Sequence, residues 1–165
     1  KLKIIKLKII QKGANVSQAA EAIKMTKDAG IEVLGDFILG SPTETPHEVE
    51  ETIRFAINNK PDFAQFSIMT PYPATELYRQ GLDQGLYTHD HWKAFAENPT
   101  VGWVPRVWDE IMSKEELLIK VKDAYFRFYY RPSYLLNQII SLNSFGEFQR
   151  KARGGLKVLT TRFLT

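Results

Sequence analysis

The stretch at residues 30–46 constrains the fold of this chain most. An apolar run at residues 31–39 stops at a turn that contains Gly40 and Pro42, and a helix start signal, Thr45-Pro46-His47-Glu48, follows at once. A strand, a tight loop and a helix in this order form half of a βα unit. The loop of such a unit lies at the carboxyl end of the strand, where α/β enzymes bind their ligands.

The flanking segments predict two parallel strands. Ser17 is the expected N-cap of a first helix that ends at Gly30. The helix after Thr45 ends near residues 58–61, a second strand is expected at residues 62–69, and Thr75 can cap a short helix to about residues 80–83. Apolar residues on both faces of the first strand are typical of parallel sheets covered by helices. Because two strands cannot close a barrel, we expect the chain to be part of a larger sheet or to pack against one.

The rest of the chain predicts an irregular region and then helices. Residues 85–112 show no clear periodicity but contain all three tryptophans, so we expect this stretch to pack down. A second capping box begins at Ser113, Arg131-Pro132 breaks the helix behind it, and a further helix runs from Pro132 to about residue 144. At the other end, the exact repeat of residues 1–5 as 6–10 predicts a helix end for the second copy only.

Composition excludes several classes of protein. The chain has no cysteine, so it cannot by itself form disulfides, use a thiol nucleophile or ligate an iron–sulfur cluster. The net charge of +3 is mild, and the aromatic and arginine run at residues 125–131 indicates a packed helical face; we expect no nucleic-acid partner.

No apolar stretch approaches the roughly 20 residues of a membrane span, and no signal peptide is visible, which predicts a cytoplasmic protein. The missing initiator Met suggests a piece of something longer.

A few polar residues are candidates for chemistry. Asp36 lies within an apolar strand and either pairs with a neighbouring strand or points at a ligand. The loop at residues 40–45 ends at a helix N-terminus and can favour an anion, although a plain strand-to-helix turn explains it as well. His89 and His91 lack a third ligand nearby, so no metal site is predicted.

Two segments in tandem resemble a known family. Residues 30–45 resemble a late barrel strand and loop of radical SAM enzymes, most closely the group with an N-terminal cobalamin-binding domain that includes anaerobic magnesium-protoporphyrin monomethyl ester cyclase-like proteins. Residues 61–78 resemble the next strand and loop of the same group. The resemblance covers roughly residues 7–140. It departs at Ser41 and Thr43, where the family has Leu and Gly, at Ala74, where it has Gly, and in the absent three-cysteine loop.

The resemblance implies a fold and an activity. The expected fold is α/β: a partial (β/α) barrel fragment with parallel strands at residues 1–84, then an irregular and mostly helical C-terminal region at residues 85–165. The full-length protein is expected to cleave SAM reductively with a [4Fe–4S] cluster and to drive oxidation, methylation or cyclisation of a tetrapyrrole- or lipid-like substrate. Cobalamin is a further candidate cofactor of the full-length protein. This chain, with no cofactor of its own, is expected to be inactive alone.

The resemblance also implies a site. Asp36, Ile38 and Gly40 are expected near SAM, and the residues expected near the small-molecule substrate are Gln65, Ser67, Thr70 and Tyr72. No catalytic role follows for any of them.

The expected partners are the N-terminal part of the same polypeptide and, through exposed strand edges, a second copy of the chain. Two alternatives stay open. One is a cluster-less half-barrel that serves as a binding or scaffold module. The other is an unrelated α/β domain that binds a phosphate-bearing ligand at Gly40–Thr45.

Overall fold

A computed structural model describes residues 15–140, with side chains to residue 136. Eight elements follow one another along these residues: α1 (Val16–Asp28), β1 (Leu34–Leu39), α2 (Pro46–Asn59), β2 (Phe63–Ile68), α3 (Glu76–Asp83), α4 (His91–Glu97), α5 (Lys114–Tyr129) and α6 (Pro132–Ile140). The chain divides into two compact units, Lys1–Phe126 and Arg127–Thr165. The expectations for residues 1–10 and for the end of the last helix lie outside the described residues.

The two strands pair in parallel, as predicted. Their register runs from Leu34 opposite Phe63 to Leu39 opposite Ile68. Helix α2 connects them and contacts β1. In the described part of the chain the sheet has two strands, so the α/β class and the parallel pairing are confirmed while barrel closure stays a prediction.

One face of the sheet is covered and forms the core of the first unit. Phe37 of β1 stacks on Phe66 of β2 at 5.3 Å and meets Phe55 of α2 edge-on at 6.3 Å. From α5, Tyr125 lies edge-on to Phe66 at 5.4 Å. The core residues with no exposed surface in this unit are Leu39, Val49, Ile53, Ala56, Leu117 and Ala124. Burial of these apolar side chains is the main force that holds the strands to α2 and α5.

The edge of β2 that faces away from β1 is closed at Phe66 by one hydroxyl. The Phe66 N–H donates to Tyr125 Oη at 3.1 Å, and that hydroxyl donates back to the Phe66 carbonyl at 3.3 Å. Backbone groups of this kind otherwise invite another strand. Tyr125 therefore secures α5 against the sheet and blocks strand addition at this point.

The predicted helix start signals are confirmed except at α1. Thr45 caps α2, Thr75 caps α3, and Ser113 and Glu116 exchange the two hydrogen bonds of a capping box at the start of α5. The N-cap of α1 is Asn15 instead of Ser17, because the Asn15 side chain accepts from the Gln18 N–H and the Gln18 side chain accepts from the Asn15 N–H. The prediction of Ser17 was wrong by two residues.

The strands are shorter than predicted, and one helix was missed. The first strand begins at Leu34 instead of residue 31, where the Ile31 N–H still bonds the Thr26 carbonyl at the end of α1. Helix α4 lies inside the stretch that showed no periodicity. Its seven residues make only two turns, too few for a recurring apolar pattern. The expectation that this stretch packs down is confirmed, since Tyr87 and Trp108 are buried.

The second unit shows the packed aromatic face predicted for the end of α5. Phe128 is fully buried, Tyr134 lies 5.7 Å from it, and the Arg131 guanidinium sits 4.1 Å above its ring. Among the described helices, none combines the length and the apolar character that crossing a bilayer requires.

Candidate functional site

Four of the predicted site residues lie together on the open face of the sheet. Side chains alternate along each strand, so Asp36 and Ile38 point away from the covered core, as do Gln65 and Ser67. The parallel register sets Asp36 opposite Gln65 and Ile38 opposite Ser67. The structure therefore brings two of the three residues assigned to SAM and two of the four assigned to substrate onto one surface.

The same face carries apolar side chains toward the start of each strand. Leu34 is 58% exposed and Phe63, opposite it, is 40% exposed, while Ile38 at the far end is 44% exposed. Helices cover the other face, and no described element covers this one. A polar band of Asp36 and Gln65 between apolar ends suits a ligand that has both hydroxyl or amine groups and a flat apolar part.

Asp36 is exposed on the open face of the sheet and joins no structural ion pair among the described residues. Its side chain is exposed, so the burial penalty that a core carboxylate would face does not arise. Within residues 15–136 its carboxylate forms no ion pair or hydrogen bond. The Asp36 carboxylate thus has no structural partner on the neighbouring strand β2, and its contact with a ligand stays a prediction.

Gly40, the third residue assigned to SAM, is buried just past the end of β1. Its backbone has φ +79°, and a Cβ built there would lie 2.8 Å from Leu117 Cδ1. The requirement for glycine is thus explained by the left-handed backbone and by the close approach of α5. The role of Gly40 beside SAM stays a prediction.

The loop after β1 fills its own anion-binding positions. The Glu44 side chain is buried, and its Oε2 accepts from the N–H groups of Gly40 at 2.7 Å and Ser41 at 2.9 Å. The Thr43 N–H donates to Glu110 Oε2 at 3.0 Å, and the Thr45 N–H donates to Glu48 Oε2 at 2.9 Å. A phosphate here would have to displace carboxylates that are already hydrogen-bonded. This arrangement speaks against the phosphate-binding alternative.

The loop after β2 presents Tyr72 next to a tryptophan that the sequence did not mark as part of the site. Tyr72 is 60% exposed and its ring lies 5.6 Å from that of Trp92. The Trp92 indole N–H donates to the Pro71 carbonyl at 3.1 Å, which ties α4 to this loop. Thr70, also assigned to substrate, donates its hydroxyl to the Ile68 carbonyl at 3.1 Å. The tryptophans of the irregular stretch predicted a packed region. One sequence alone could not show that Trp92 packs on the loop that carries Tyr72.

The two histidines near α4 do not form a metal pair. His91 is 6% exposed and packs among aromatic rings, while His89 is exposed and lies 3.1 Å from the Thr88 hydroxyl. Across the described residues, no group of three or more His, Cys, Asp or Glu side chains is arranged to hold a metal ion.

Two buried tyrosines keep their hydroxyl protons near neutral pH and can therefore donate hydrogen bonds. Burial raises the pKa of Tyr87 to about 12, and burial together with the Asp90 carboxylate raises the pKa of Tyr78. A shallow depression of about 240 Å³ opens between residues 73–75 and Tyr78, Arg79 and Asp90. The predicted site residues do not line it, so the open sheet face remains the candidate site.

Comparison with known proteins gives methyltransferases and a cyclase as relatives. The chain is 36% identical over 152 residues to an uncharacterized methyltransferase of Pyrococcus horikoshii, a match of 92% of this chain and 32% of the relative. It is 33% identical over 125 residues to the anaerobic magnesium-protoporphyrin IX monomethyl ester cyclase of Cereibacter sphaeroides, covering 76% of this chain and 19% of that enzyme.

The third relative is the bacteriochlorophyllide d C-8(2)-methyltransferase of Chlorobaculum tepidum, 25% identical over 137 residues, with 78% of this chain and 30% of the relative covered. No family model matches the chain. The chain spans about a third or less of the length of these curated relatives, in their C-terminal region.

Proposed function

Because this chain is a homologue of radical SAM cyclases and methyltransferases, we propose that it supplies the last part of a radical SAM barrel and the substrate-facing region behind it. The complete protein would act in the cytoplasm as an oxidoreductase or methyltransferase on a tetrapyrrole- or lipid-like substrate. The chain alone would be inactive.

One observation carries this proposal: the open face of the sheet. Asp36, Ile38, Gln65 and Ser67 share it in register, and helices cover only the opposite face among the described elements. In a closed (β/α) barrel the helix-free face of every strand lines the interior, and ligands bind at the carboxyl ends of the strands. An open face that is half polar is what a strand pair of such a barrel requires, whereas a covered sheet would bury both faces.

The cofactors that the family implies fit this chain to different degrees. A [4Fe–4S] cluster needs cysteine thiolates, and the chain has none, so its residues do not fit the cluster and any cluster must be held elsewhere. SAM fits better, because the Asp36 carboxylate can accept from hydroxyl or ammonium groups and Ile38 offers an apolar contact for a purine. When bound, SAM supplies a methyl group or a 5′-deoxyadenosyl radical. We assign no step to cobalamin.

We further propose that Gly40 contributes by bringing the end of β1 into place, and that Gln65, Ser67, Thr70 and Tyr72 face the substrate. The Tyr72 and Trp92 rings form an aromatic wall that suits a flat or apolar molecule. The names of two relatives specify tetrapyrroles, magnesium-protoporphyrin and bacteriochlorophyllide, which are flat macrocycles.

The DNA upstream of Lys1 tests whether the chain is part of a larger enzyme. An in-frame extension that encodes Cys-x-x-x-Cys-x-x-Cys is expected. A start codon immediately before Lys1 would overturn the proposal and leave the cluster-less binding or scaffold module as the better account.

Binding of SAM to the complete polypeptide tests the site. Asp36→Asn is expected to weaken SAM binding about tenfold, since a charged acceptor contributes roughly 1.5 kcal/mol. Glu21→Gln is the matched control, because Glu21 is an exposed carboxylate on α1, outside the sheet. Equal SAM dissociation constants for wild type and Asp36→Asn, measured by calorimetry, would remove Asp36 from the site.

A further inference from the structure

His91 is buried in a layer of aromatic rings that the proposed function does not use. Its ring centroid lies 5.2 Å from that of Tyr78 and 5.1 Å from that of Tyr87, both nearly perpendicular to it. Trp92 and Trp103 lie at 6.0 and 6.2 Å. We call these five residues the aromatic layer. With 6% of its surface exposed, His91 is the layer's ionisable centre.

A hydrogen-bond chain fixes the tautomer of neutral His91. The Tyr78 hydroxyl donates its single proton to Asp90 Oδ1 at 2.8 Å, since a carboxylate can only accept. Tyr78 Oη also lies 3.2 Å from His91 Nδ1 and must accept there. The Nδ1 atom therefore carries the proton of neutral His91, and Nε2 is left with its lone pair.

The Nε2 atom of His91 has no hydrogen-bond partner among the described residues and is shielded from solvent. In the neutral imidazole this leaves one acceptor unused. In the imidazolium it would leave a charged donor unsatisfied inside an apolar layer, which is the more costly arrangement. The geometry therefore favours neutral His91.

The layer is connected to the loop after β2 through Trp92. That side chain contacts His91 on one side, the Tyr72 ring at 5.6 Å on the other, and donates to the Pro71 carbonyl at 3.1 Å. Whatever displaces His91 thus acts on Trp92 and on the loop that carries Tyr72.

We propose that His91 is a positioning residue and a proton-sensitive latch. Neutral His91, held by Tyr78 and Asp90, keeps Trp92 and the Tyr72 loop in place, and protonation of Nε2 releases them. The part of that loop in substrate binding rests on the proposed function, whereas the latch itself is a property of the described residues.

The surroundings of His91 lower its pKa on balance. Burial lowers its pKa first, and the cations of Arg106 and His89 lower it further, while the adjacent Asp90 carboxylate opposes them. Arg106 reaches the layer from the following segment and lies 5.7 Å above the Tyr87 ring. Tyr78 and Tyr87 stay protonated, because their own pKa values are raised. Aromatic faces attract cations, which works the other way, so the direction of the titration is the deciding measurement.

The sign of the pH dependence follows from these shifts. With the folded pKa below the ordinary histidine value of about 6.5, the latch is fully closed above that pH. As the pH falls below about 6.5, the released state binds the proton first, and the latch weakens until the folded pKa is passed.

Tryptophan fluorescence of the chain tests this without any ligand. The three tryptophans all lie between residues 92 and 108, so their emission reports on this region. Between about pH 8 and pH 4, we expect the emission to move to longer wavelength below pH 6.5 while the far-ultraviolet circular dichroism of the helices is retained. His91→Phe should abolish this step. His89→Phe, which replaces an exposed histidine two positions away, should retain it.

An unchanged fluorescence step in His91→Phe, or no step in the wild type, would overturn the latch. Should His91→Phe fail to fold by circular dichroism, the imidazole proton resonances of the wild type decide, with His47 and His89 assigned from their own variants. A His91 pKa below the ordinary value supports the latch, and one at or above it overturns it. Because no SAM or substrate is present, these outcomes are independent of the proposed function.

Discussion

Replacing Gly40 by alanine separates backbone strain from crowding at the end of β1. Gly40 has φ +79°, a conformation that costs an L-residue about 1–2 kcal/mol. The new methyl group would lie 2.8 and 2.9 Å from the two δ-carbons of Leu117, which is fully buried. Overpacking of this kind adds about 1–3 kcal/mol. We therefore expect Gly40→Ala to lower the free energy of unfolding by about 2–5 kcal/mol, the sum of the two costs.

Gly85→Ala is the matched control for the backbone term. Gly85 has φ +74°, but a Cβ there meets nothing within 4 Å. Its cost should stay at about 1–2 kcal/mol. Urea unfolding followed by circular dichroism gives both values, provided that the slope with urea is the same in each variant.

A second variant, Leu117→Ala, tests the cause of the difference. Alone it should cost about 2–5 kcal/mol through the cavity it leaves. Combined with Gly40→Ala, it removes the obstacle to the new methyl group, so the double variant should be more stable than the sum predicts by about 1–3 kcal/mol. Two results would refute the crowding of Gly40 by Leu117. One is an equal loss of unfolding free energy in Gly40→Ala and Gly85→Ala. The other is strict additivity in the double-mutant cycle of Gly40→Ala and Leu117→Ala.

Three further outcomes are expected. Tyr125→Phe should lower the free energy of unfolding by about 1–3 kcal/mol, because it deletes both hydrogen bonds to Phe66; urea unfolding with the exposed Tyr72→Phe as control checks this, and a neutral result would contradict it. Asp62→Asn should destabilise the protein at neutral pH and reduce the loss of stability below about pH 4. The reason is that hydrogen bonds from Lys27 and Val33 outweigh the effect of burial and hold the pKa of Asp62 low. A thermal midpoint that falls with pH as steeply in the variant as in the wild type would contradict this. Light scattering after size exclusion should show a dimer through the outer edge of β1, abolished by Asp36→Pro, whereas a monomeric wild type would rule this out.

The dependence of stability on pH that arises from Asp62 has a definite sign. The folded pKa lies below the unfolded one, so the stability from this carboxylate is fully present above the unfolded pKa. It is lost as the pH falls through the folded pKa. The contribution of His91 to stability changes at a higher pH than that of Asp62, so the two titrations can be separated.

Much of the local structure could be read from the sequence. Helix starts at Thr45, Thr75 and Ser113 follow from side chains that bond N–H groups three residues away, and such contacts do not depend on the rest of the fold. The parallel strand pair followed from strand and helix signals in alternation. The resemblance to radical SAM enzymes was likewise readable, and the relatives confirm it.

Other features escaped because their causes lie far apart in the chain. The start of β1 depends on where β2 can pair with it, and α4 is too short for a periodic signal. The glycine at position 40 was assigned to a ligand, yet its close neighbour is Leu117, which a single sequence cannot pair with it.

The sequence by itself determined the alternation that places Asp36, Ile38, Gln65 and Ser67 on one side of their strands, because side chains in a strand point alternately to its two faces. The tertiary structure decided which side is open, since only packing shows that α2 and α5 cover the phenylalanine face. It also decided that the Thr43 N–H in the loop after Gly40 already has a partner, because the carboxylate of Glu110 reaches it from a distant segment. The burial of His91 likewise depends on tertiary structure, because the aromatic rings around it come from three separate stretches of the chain.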